Sequence, residues 1–167
     1  MFAMDITRAK EEWKIKIKKG LVVVDGEGKV KIGSSGREES FAISEPGEYE
    51  IEGISVFGYA ANEQTIFVIQ AEALRVLYLG NLKAKLEEKL IEELDTIDAV
   101  IVKIDQLGVK EIGDLLGQIE PGYILPYGET TKIDEFVKSF EHGSKPMEKL
   151  SLTKTMIPEE ATEVVVV

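Results

Sequence analysis

The chain has 167 residues, of which 44% are hydrophobic and 31% are charged, a composition typical of a globular protein with a sizeable core. Its formal net charge of -11 disfavours binding to nucleic acid or to an anionic membrane surface. Cysteine is absent and His142 is the single histidine, which excludes disulfides, Cys-ligated zinc and any site that needs two imidazoles. Neither a membrane span nor a signal-peptide core is present, so we expect a cytoplasmic protein.

The first half of the sequence has the pattern of β-strands. Trp13, Ile15 and Ile17 alternate with lysines, which predicts a strand with one buried face. The apolar run 21–24 predicts a strand buried on both faces, and the turn-forming residues 25–28 after it predict a hairpin. Further strands are predicted at 41–43, 49–51, 54–57, 65–70 and 74–79, with a loop at 58–63.

After Asn81 the pattern alternates between helices and strands. Apolar residues at helical spacing predict one helix over 82–94 and a second over 109–119. A third helix is predicted to begin at a Thr131 cap and to stop at Gly143. The remaining strands are predicted at 98–104, 123–125, 150–152 and 164–167.

Several segments, taken in order along the chain, form a recognisable series. The segments are Met4–Thr7, Trp13–Lys16, Val22–Asp25, Ile43–Ile51, Leu77–Asn81, Ile97–Val102, Ile119–Pro126 and Ile133–Phe136. Their order and spacing, more than any single segment, resemble the metallo-β-lactamase fold superfamily. The resemblance is to its small zinc-dependent hydrolases, the branch that includes the ascorbate-phosphate lactonase-like proteins, and it covers nearly the whole chain.

The resemblance implies a zinc-dependent hydrolase, yet the metal-ligand motifs of the family are missing. The chain has no His-x-His-x-Asp-His motif. The family's Gly-Asp becomes Gly80-Asn81, and its terminal Pro-x-His becomes Pro126-Tyr127-Gly128. A hydrolytic zinc site needs about three protein ligands and an open position for water. We therefore expect no catalytic residue, no metal ligand and no cofactor, with zinc bound only if a non-standard site exists.

Four residues mark the remnant of the pocket that the resemblance implies: Asp25, Asn81, Tyr127 and Gly128. Two of them also have a purely structural interpretation. Asp25 precedes Gly26 and is a typical turn former. Asn81 is a typical cap for the helix predicted after it. We favour these structural interpretations over roles as ligands.

Serine catalysis has little support in the sequence. A serine nucleophile needs a base, and nothing places His142 beside a candidate serine. The loop 33–36 lacks the Gly-Lys-Ser/Thr end of a phosphate-binding loop. The candidate serines are Ser34, Ser35, Ser40 and Ser44.

We expect a single domain over residues 1–167, of α+β or α/β class, with a metallo-β-lactamase-like sandwich of two sheets. The helical layer over the N-terminal sheet is predicted to be reduced or absent, because the family segment that covers it is shortened. An uncovered apolar face would mark an interface. The main functional hypothesis is a non-catalytic interaction or assembly module that binds itself or a protein partner. The alternatives are a hydrolase or lactonase with a non-standard metal site, and a small-molecule sensor.

Overall fold

The computed structural model describes residues 3–18, 20–34, 40–140, 143–159 and 161–167. The strands are β1 (Met4–Ala9), β2 (Glu12–Ile17), β3 (Gly20–Val24), β4 (Val30–Ser34), β5 (Ser40–Ile43), β6 (Gly47–Ile51), β7 (Ile54–Ala61), β8 (Gln64–Ala71), β9 (Leu74–Gly80), β10 (Ala99–Lys103), β11 (Tyr123–Tyr127), β12 (Ser144–Pro146), β13 (Leu150–Leu152) and β14 (Glu163–Val166). The helices are α1 (Glu88–Leu94), α2 (Val109–Ile119) and α3 (Thr130–Lys138), and Lys154–Met156 forms a short 3-10 helix.

These strands form two sheets. The first sheet has the order β13-β1-β2-β3-β4-β5 and is antiparallel throughout. In β2, Trp13, Ile15 and Ile17 are buried, whereas Lys14 and Lys16 are exposed, as the alternation predicts. The buried residues pack against the second sheet, which has the order β12-β14-β11-β10-β9-β8-β7-β6.

The second sheet is buried on both faces. Strands β6 to β9 are antiparallel, and β9, β10, β11, β14 and β12 run parallel to one another. Ile101 and Leu125 face the first sheet, whereas the neighbouring Val100 and Ile124 pack in a second core with Phe136 of α3. Each of the helices α1, α2 and α3 contributes buried residues to this second core, among them Leu94, Ile112 and Phe136. The predicted two-sheet sandwich, with its helices on the C-terminal half, is confirmed.

The outer face of the first sheet has no helical layer among the described residues, as the resemblance implies. On this face Leu21 and Val23 of β3 are half-buried, so the predicted burial of β3 on both faces is wrong. Exposed lysines flank them, because Lys16 pairs with Leu21, and Lys14 and Lys31 pair with Val23. The face is therefore mixed and lysine-rich, and the apolar interface expected here has no support.

Two of the predicted helices differ in extent from those observed. The helix predicted from Leu82 begins at Glu88, and Leu82 and Leu86 are buried within a non-helical segment. Helix α3 ends at Lys138, so Thr131 lies inside it and Gly143 lies beyond its end. Helix α2 covers the predicted range. No helix in the described part of the chain is long and apolar enough to cross a membrane.

One predicted loop is largely strand. Strand β7 continues to Ala61, so most of the predicted loop 58–63 belongs to the second sheet. Gly58 pairs with both Gly47 and Phe67. An added Cβ at Gly58 would lie only 2.9 Å from the backbone oxygen of Glu45. Gly58 is therefore a strand position that the backbone of the connection between β5 and β6 approaches closely.

Candidate functional site

A cleft of about 950 Å³ lies where three neighbouring parallel strands end. β9 ends at Gly80, β10 at Lys103 and β11 at Tyr127, and all three residues line the cleft. The turn 26–29 of the first sheet and residues 62–65 of the second sheet line it as well. Ligands of sheets with parallel strands commonly bind at the carboxyl ends of those strands. This cleft is therefore the candidate functional site.

Two buried tyrosines line the cleft. The hydroxyl oxygens of Tyr78 and Tyr127 are 2.9 Å apart and share a hydrogen bond. Trp13 packs edge-on against Tyr127, with the ring centroids 5.3 Å apart. Burial raises the pKa of Tyr127 far above its usual value. Burial also raises the pKa of Tyr78, although the hydrogen bond with Tyr127 opposes that rise. Both phenols are therefore neutral near pH 7.

Lys103 contributes a positive charge to the cleft. Its ammonium donates a hydrogen bond to the carboxylate of Glu11, which lies in the turn between β1 and β2. The same nitrogen lies 3.5 Å from Oδ2 of Asp105. The hydrogen bond to Glu11 raises the pKa of Lys103 above its usual value, so the ammonium stays charged near pH 7. The Lys103 ammonium thus links Glu11, in a turn of the first sheet, with Asp105, which follows β10 of the second sheet.

Asn81 follows β9 and lines the cleft. Its Oδ1 atom is buried and has no hydrogen-bond partner among the described residues. The predicted capping role of Asn81 is wrong, because α1 begins at Glu88 and Glu87 holds the cap position. A buried polar atom without a partner costs roughly 1–3 kcal/mol. A molecule that donated a hydrogen bond to this oxygen would remove that cost.

Asp25 directs its carboxylate into its own turn. Its Oδ1 accepts hydrogen bonds from the backbone N–H groups of Glu27 and Lys29, each at 2.9 Å. This geometry agrees with the turn-forming interpretation. Asp25 precedes Gly26, which lines the cleft, but is not itself a lining residue. Asn81 and Tyr127 therefore line the same cleft, whereas Asp25 lies beside it.

Gly128 directly follows the lining residue Tyr127. Its φ of 117° lies in a region that favours glycine. A Cβ at this position would overlap with Oδ1 of Asp105. That oxygen accepts the backbone N–H of Glu129 at 2.9 Å, which fixes the carboxylate in place. The turn after β11 thus requires a residue without a side chain.

The serine and histidine candidates do not assemble into a described site. His142 and Ser35 lie outside the described residues, as does the side chain of Ser40. Ser34 is not a lining residue of the cleft, whereas Ser44 is.

The cleft residues whose contacts are described above but which were not selected from the sequence are Tyr78, Lys103 and Glu11. Tyr78 and Lys103 lie near the ends of correctly predicted strands, and strand ends were the signal available for both. Glu11 had no such signal, because it lies 92 positions from Lys103 in the sequence.

The cleft does not fit a hydrolytic zinc ion. Such an ion requires about three anionic or imidazole ligands. The strand ends instead present two neutral phenols, the Lys103 ammonium and the Asn81 amide. Among the described residues, no three His, Cys, Asp or Glu side chains are grouped so that they could hold a metal ion.

The family model described as "Beta-lactamase superfamily domain" matches residues 10–128. The chain belongs to this family, which confirms the resemblance to the metallo-β-lactamase fold superfamily. No curated protein is significantly similar to it in sequence.

Solved structures share the fold. One similar structure is a Thermotoga maritima protein assigned as a zinc-dependent hydrolase of the metallo-β-lactamase superfamily, with a TM-score of 0.76 and 21% identity. The match covers 98% of each chain. A mutant of CmlA β-hydroxylase has a TM-score of 0.51 and 8% identity, over 72% of this chain and 31% of that one. At these identities the likeness shows the fold alone.

We expect Gly128→Ala to lower the free energy of unfolding by about 1–3 kcal/mol, because the new Cβ meets Asp105 and the backbone is left-handed. Urea unfolding followed by the fluorescence of Trp13 measures the change. Gly117→Ala is the matched control, since nothing lies within 4 Å of its added Cβ in helix α2. The control should stabilise by up to about 1 kcal/mol. Equal effects would contradict the steric argument.

We expect Tyr78 and Tyr127 to remain protonated in the folded protein above pH 10.0, the ordinary pKa of tyrosine, because burial raises both pKa values. The unfolded chain then loses protons that the folded one retains. Stability should fall as pH rises above that value, by about 1.4 kcal/mol per pH unit for each group. Denaturant titrations at several alkaline pH values measure the slope.

Tyr127→Phe should lessen this alkaline slope. Tyr59→Phe is the control, because Tyr59 is partly exposed and is not a lining residue of the cleft. If Tyr127→Phe and Tyr59→Phe changed this slope equally, the alkaline loss of stability would not come from the buried pair Tyr78 and Tyr127.

Proposed function

We propose that the protein is a non-catalytic member of the metallo-β-lactamase superfamily that acts by binding a small polar molecule in its cleft. The Lys103 ammonium is the observation that supports this most directly. It lines the same cleft as Asn81, which stands where the family resemblance implies a ligand aspartate, and as Tyr127, which directly precedes the position of the implied histidine. The chain would then keep the scaffold of a hydrolase without its reaction. A cytoplasmic location and the absence of a cofactor belong to the same proposal.

Electrostatic repulsion supports the non-catalytic assignment. An ammonium and a divalent ion about 4 Å apart repel each other by roughly 8 kcal/mol at an effective dielectric constant near 20. The Glu11 and Asp105 carboxylates beside Lys103 offset part of this repulsion, but the ammonium already occupies their charged oxygens. Loss of a proton from Lys103 is disfavoured, because the hydrogen bond to Glu11 raises the pKa of Lys103. The alternative of a hydrolase with a non-standard metal site is therefore the weaker hypothesis.

The shape and lining of the cleft support a binding role. Its volume of about 950 Å³ lies within the range of known ligand pockets. The lining carries charges of both signs, including Lys29, Lys83, Glu27 and Glu63. These features favour a small polar molecule that carries charged or hydrogen-bonding groups.

We expect the purified protein to bind far less than one zinc ion per chain after dialysis against zinc, because the cleft holds a cation and no suitable ligand set. Elemental analysis measures the bound metal, and assays with a lactone and with a phosphate ester measure hydrolysis. Chelation with EDTA should leave the melting temperature unchanged. A zinc content near one per chain, together with hydrolysis that EDTA abolishes, would disprove the proposal.

Self-association is a second candidate function, and one exposed residue favours it. Phe41 is 52% exposed on β5, one of the two edge strands of the first sheet. Its ring centroid is 6.4 Å from that of Tyr49 on β6, one of the two edge strands of the second sheet. Edge strands have unpaired backbone groups that can join another chain. The exposed Glu48 and Glu50 of β6 would repel their copies, so β5 is the better edge for a second copy.

If copies associate through β5, the Phe41→Ser variant should sediment as a smaller species than the wild-type protein at the same concentration. Met156→Ser is the control, because Met156 is 63% exposed and belongs to the 3-10 helix rather than to β5. Sedimentation velocity measures the assembly state. A wild-type protein that stays monomeric at high concentration rules this candidate out.

A further inference from the structure

The cleft contains hydrogen-bond donors whose protons no described residue accepts. We propose that these donors, which belong to the tyrosine pair Tyr78 and Tyr127 and to Lys103, bind a carboxylate group of the ligand. This inference rests on the proposed function and gives its small polar molecule a chemical class, that of a small carboxylate.

The tyrosine pair has one proton more than its own hydrogen bond uses. Each hydroxyl carries one proton, since burial keeps both phenols neutral near pH 7. One of these protons lies in the 2.9 Å hydrogen bond between the two oxygens, whichever of them donates. Neither hydroxyl forms another hydrogen bond within the described part of the chain. The second proton can therefore be donated to a molecule in the cleft, which both residues line.

The Lys103 ammonium also has a donor that its contacts do not use. It carries three N–H groups. One donates to the Glu11 carboxylate, and Oδ2 of Asp105 lies 3.5 Å from the same nitrogen. No third acceptor contacts this nitrogen among the residues that the structure describes. One N–H group thus remains for a ligand, and the two carboxylates hold the ammonium in position.

The tyrosine pair and Lys103 lie on one face of the second sheet. Lys103 and Tyr127 are partners in the parallel ladder between β10 and β11, whose strands lie about 4.8 Å apart. Tyr78 of β9 is the partner of Ile101, which lies two residues before Lys103 in β10. Since side chains alternate along a strand, all of these residues face the core between the two sheets. The uncommitted O–H and N–H groups are therefore neighbours at the strand ends.

Burial of these donors favours a charged acceptor over a neutral one. Tyr78 and Tyr127 are only 4% and 3% exposed, and 16% of the Lys103 side chain is exposed. A hydrogen bond to a carboxylate is roughly twice as strong as one to a neutral oxygen, and it gains further strength away from water. A carboxylate that accepts from the tyrosine pair and from Lys103 uses both spare donors at once.

The other charges at the cleft act more weakly on such a ligand. The carboxylates of Glu11 and Asp105 offset part of the Lys103 charge, so we expect millimolar rather than micromolar affinity for a simple carboxylate. The remaining charged side chains of the lining are of both signs and include exposed ones, whose effects water and salt screen. These exposed residues include Lys29, Lys83, Glu27 and Glu63.

The test compares propionate with propionamide, which has almost the same shape but no charge. Melting temperatures are measured in about 50 mM of each, with NaCl added to equal ionic strength. We expect propionate to raise the melting temperature by about 1–4 °C above NaCl alone, and propionamide to raise it by much less. Equal shifts with the two compounds, or no shift with either, overturn the carboxylate assignment.

A double variant locates the effect. Tyr78→Phe with Tyr127→Phe removes both hydroxyls together, so it leaves no donor without its partner and should fold. We expect its response to propionate to fall to the response to NaCl, whereas the control Tyr59→Phe should respond as the wild-type protein does. A response that the double variant retains overturns the inference.

A measurement on the wild-type protein keeps the test decisive if the double variant does not fold. Propionate, but not propionamide, should shift the backbone amide NMR signals at the strand ends that line the cleft, around Gly80, Lys103 and Tyr127. Signals there that do not move with propionate overturn the inference. Binding of propionamide alone would overturn the carboxylate class and leave the proposed function standing, whereas stoichiometric zinc with EDTA-sensitive hydrolysis would overturn the proposed function itself.

Discussion

Burial of the second sheet on both faces is the constraint around which the molecule is arranged. The first sheet covers one face and the three helices cover the other, so β9, β10 and β11 run between two cores. Parallel strands are stable in water only when both faces are covered. Their carboxyl ends consequently emerge together, and the residues Gly80, Lys103 and Tyr127 at those ends line one cleft. The fold therefore forms a cleft at these strand ends, whichever side chains line it.

Hydrophobic periodicity predicted most of the fold because it reports which face of an element is buried. It was accurate for α2, which has one apolar face, and for β2, whose lysines alternate with buried residues. The periodicity failed where residues are buried outside the regular element that their spacing predicts, or where an apolar residue is not fully buried. Leu82 and Leu86 are spaced as in a helix but are buried from an irregular segment. The run that forms β3 is continuously apolar, yet half of it lies on the uncovered face.

The candidate site was only partly predictable. Asn81 and Tyr127 could be placed in one pocket because the family resemblance implies a pocket there, and the structure has each of them at the end of a strand. The contact between Lys103 and Glu11 could not be predicted, because an ion pair between distant segments leaves no periodic signal in the sequence. The helix-cap interpretation of Asn81 failed together with the predicted start of α1. Fold membership supplied the location of the cleft, and the individual side chains determine its chemistry.

The turn after β11 restricts which side chains position 128 can carry. A histidine in place of Gly128 would need both a different backbone conformation and a different placement of the Asp105 carboxylate. Substitutions at positions 105 and 128 are therefore coupled, and each is tolerated only in the company of a matching change at the other.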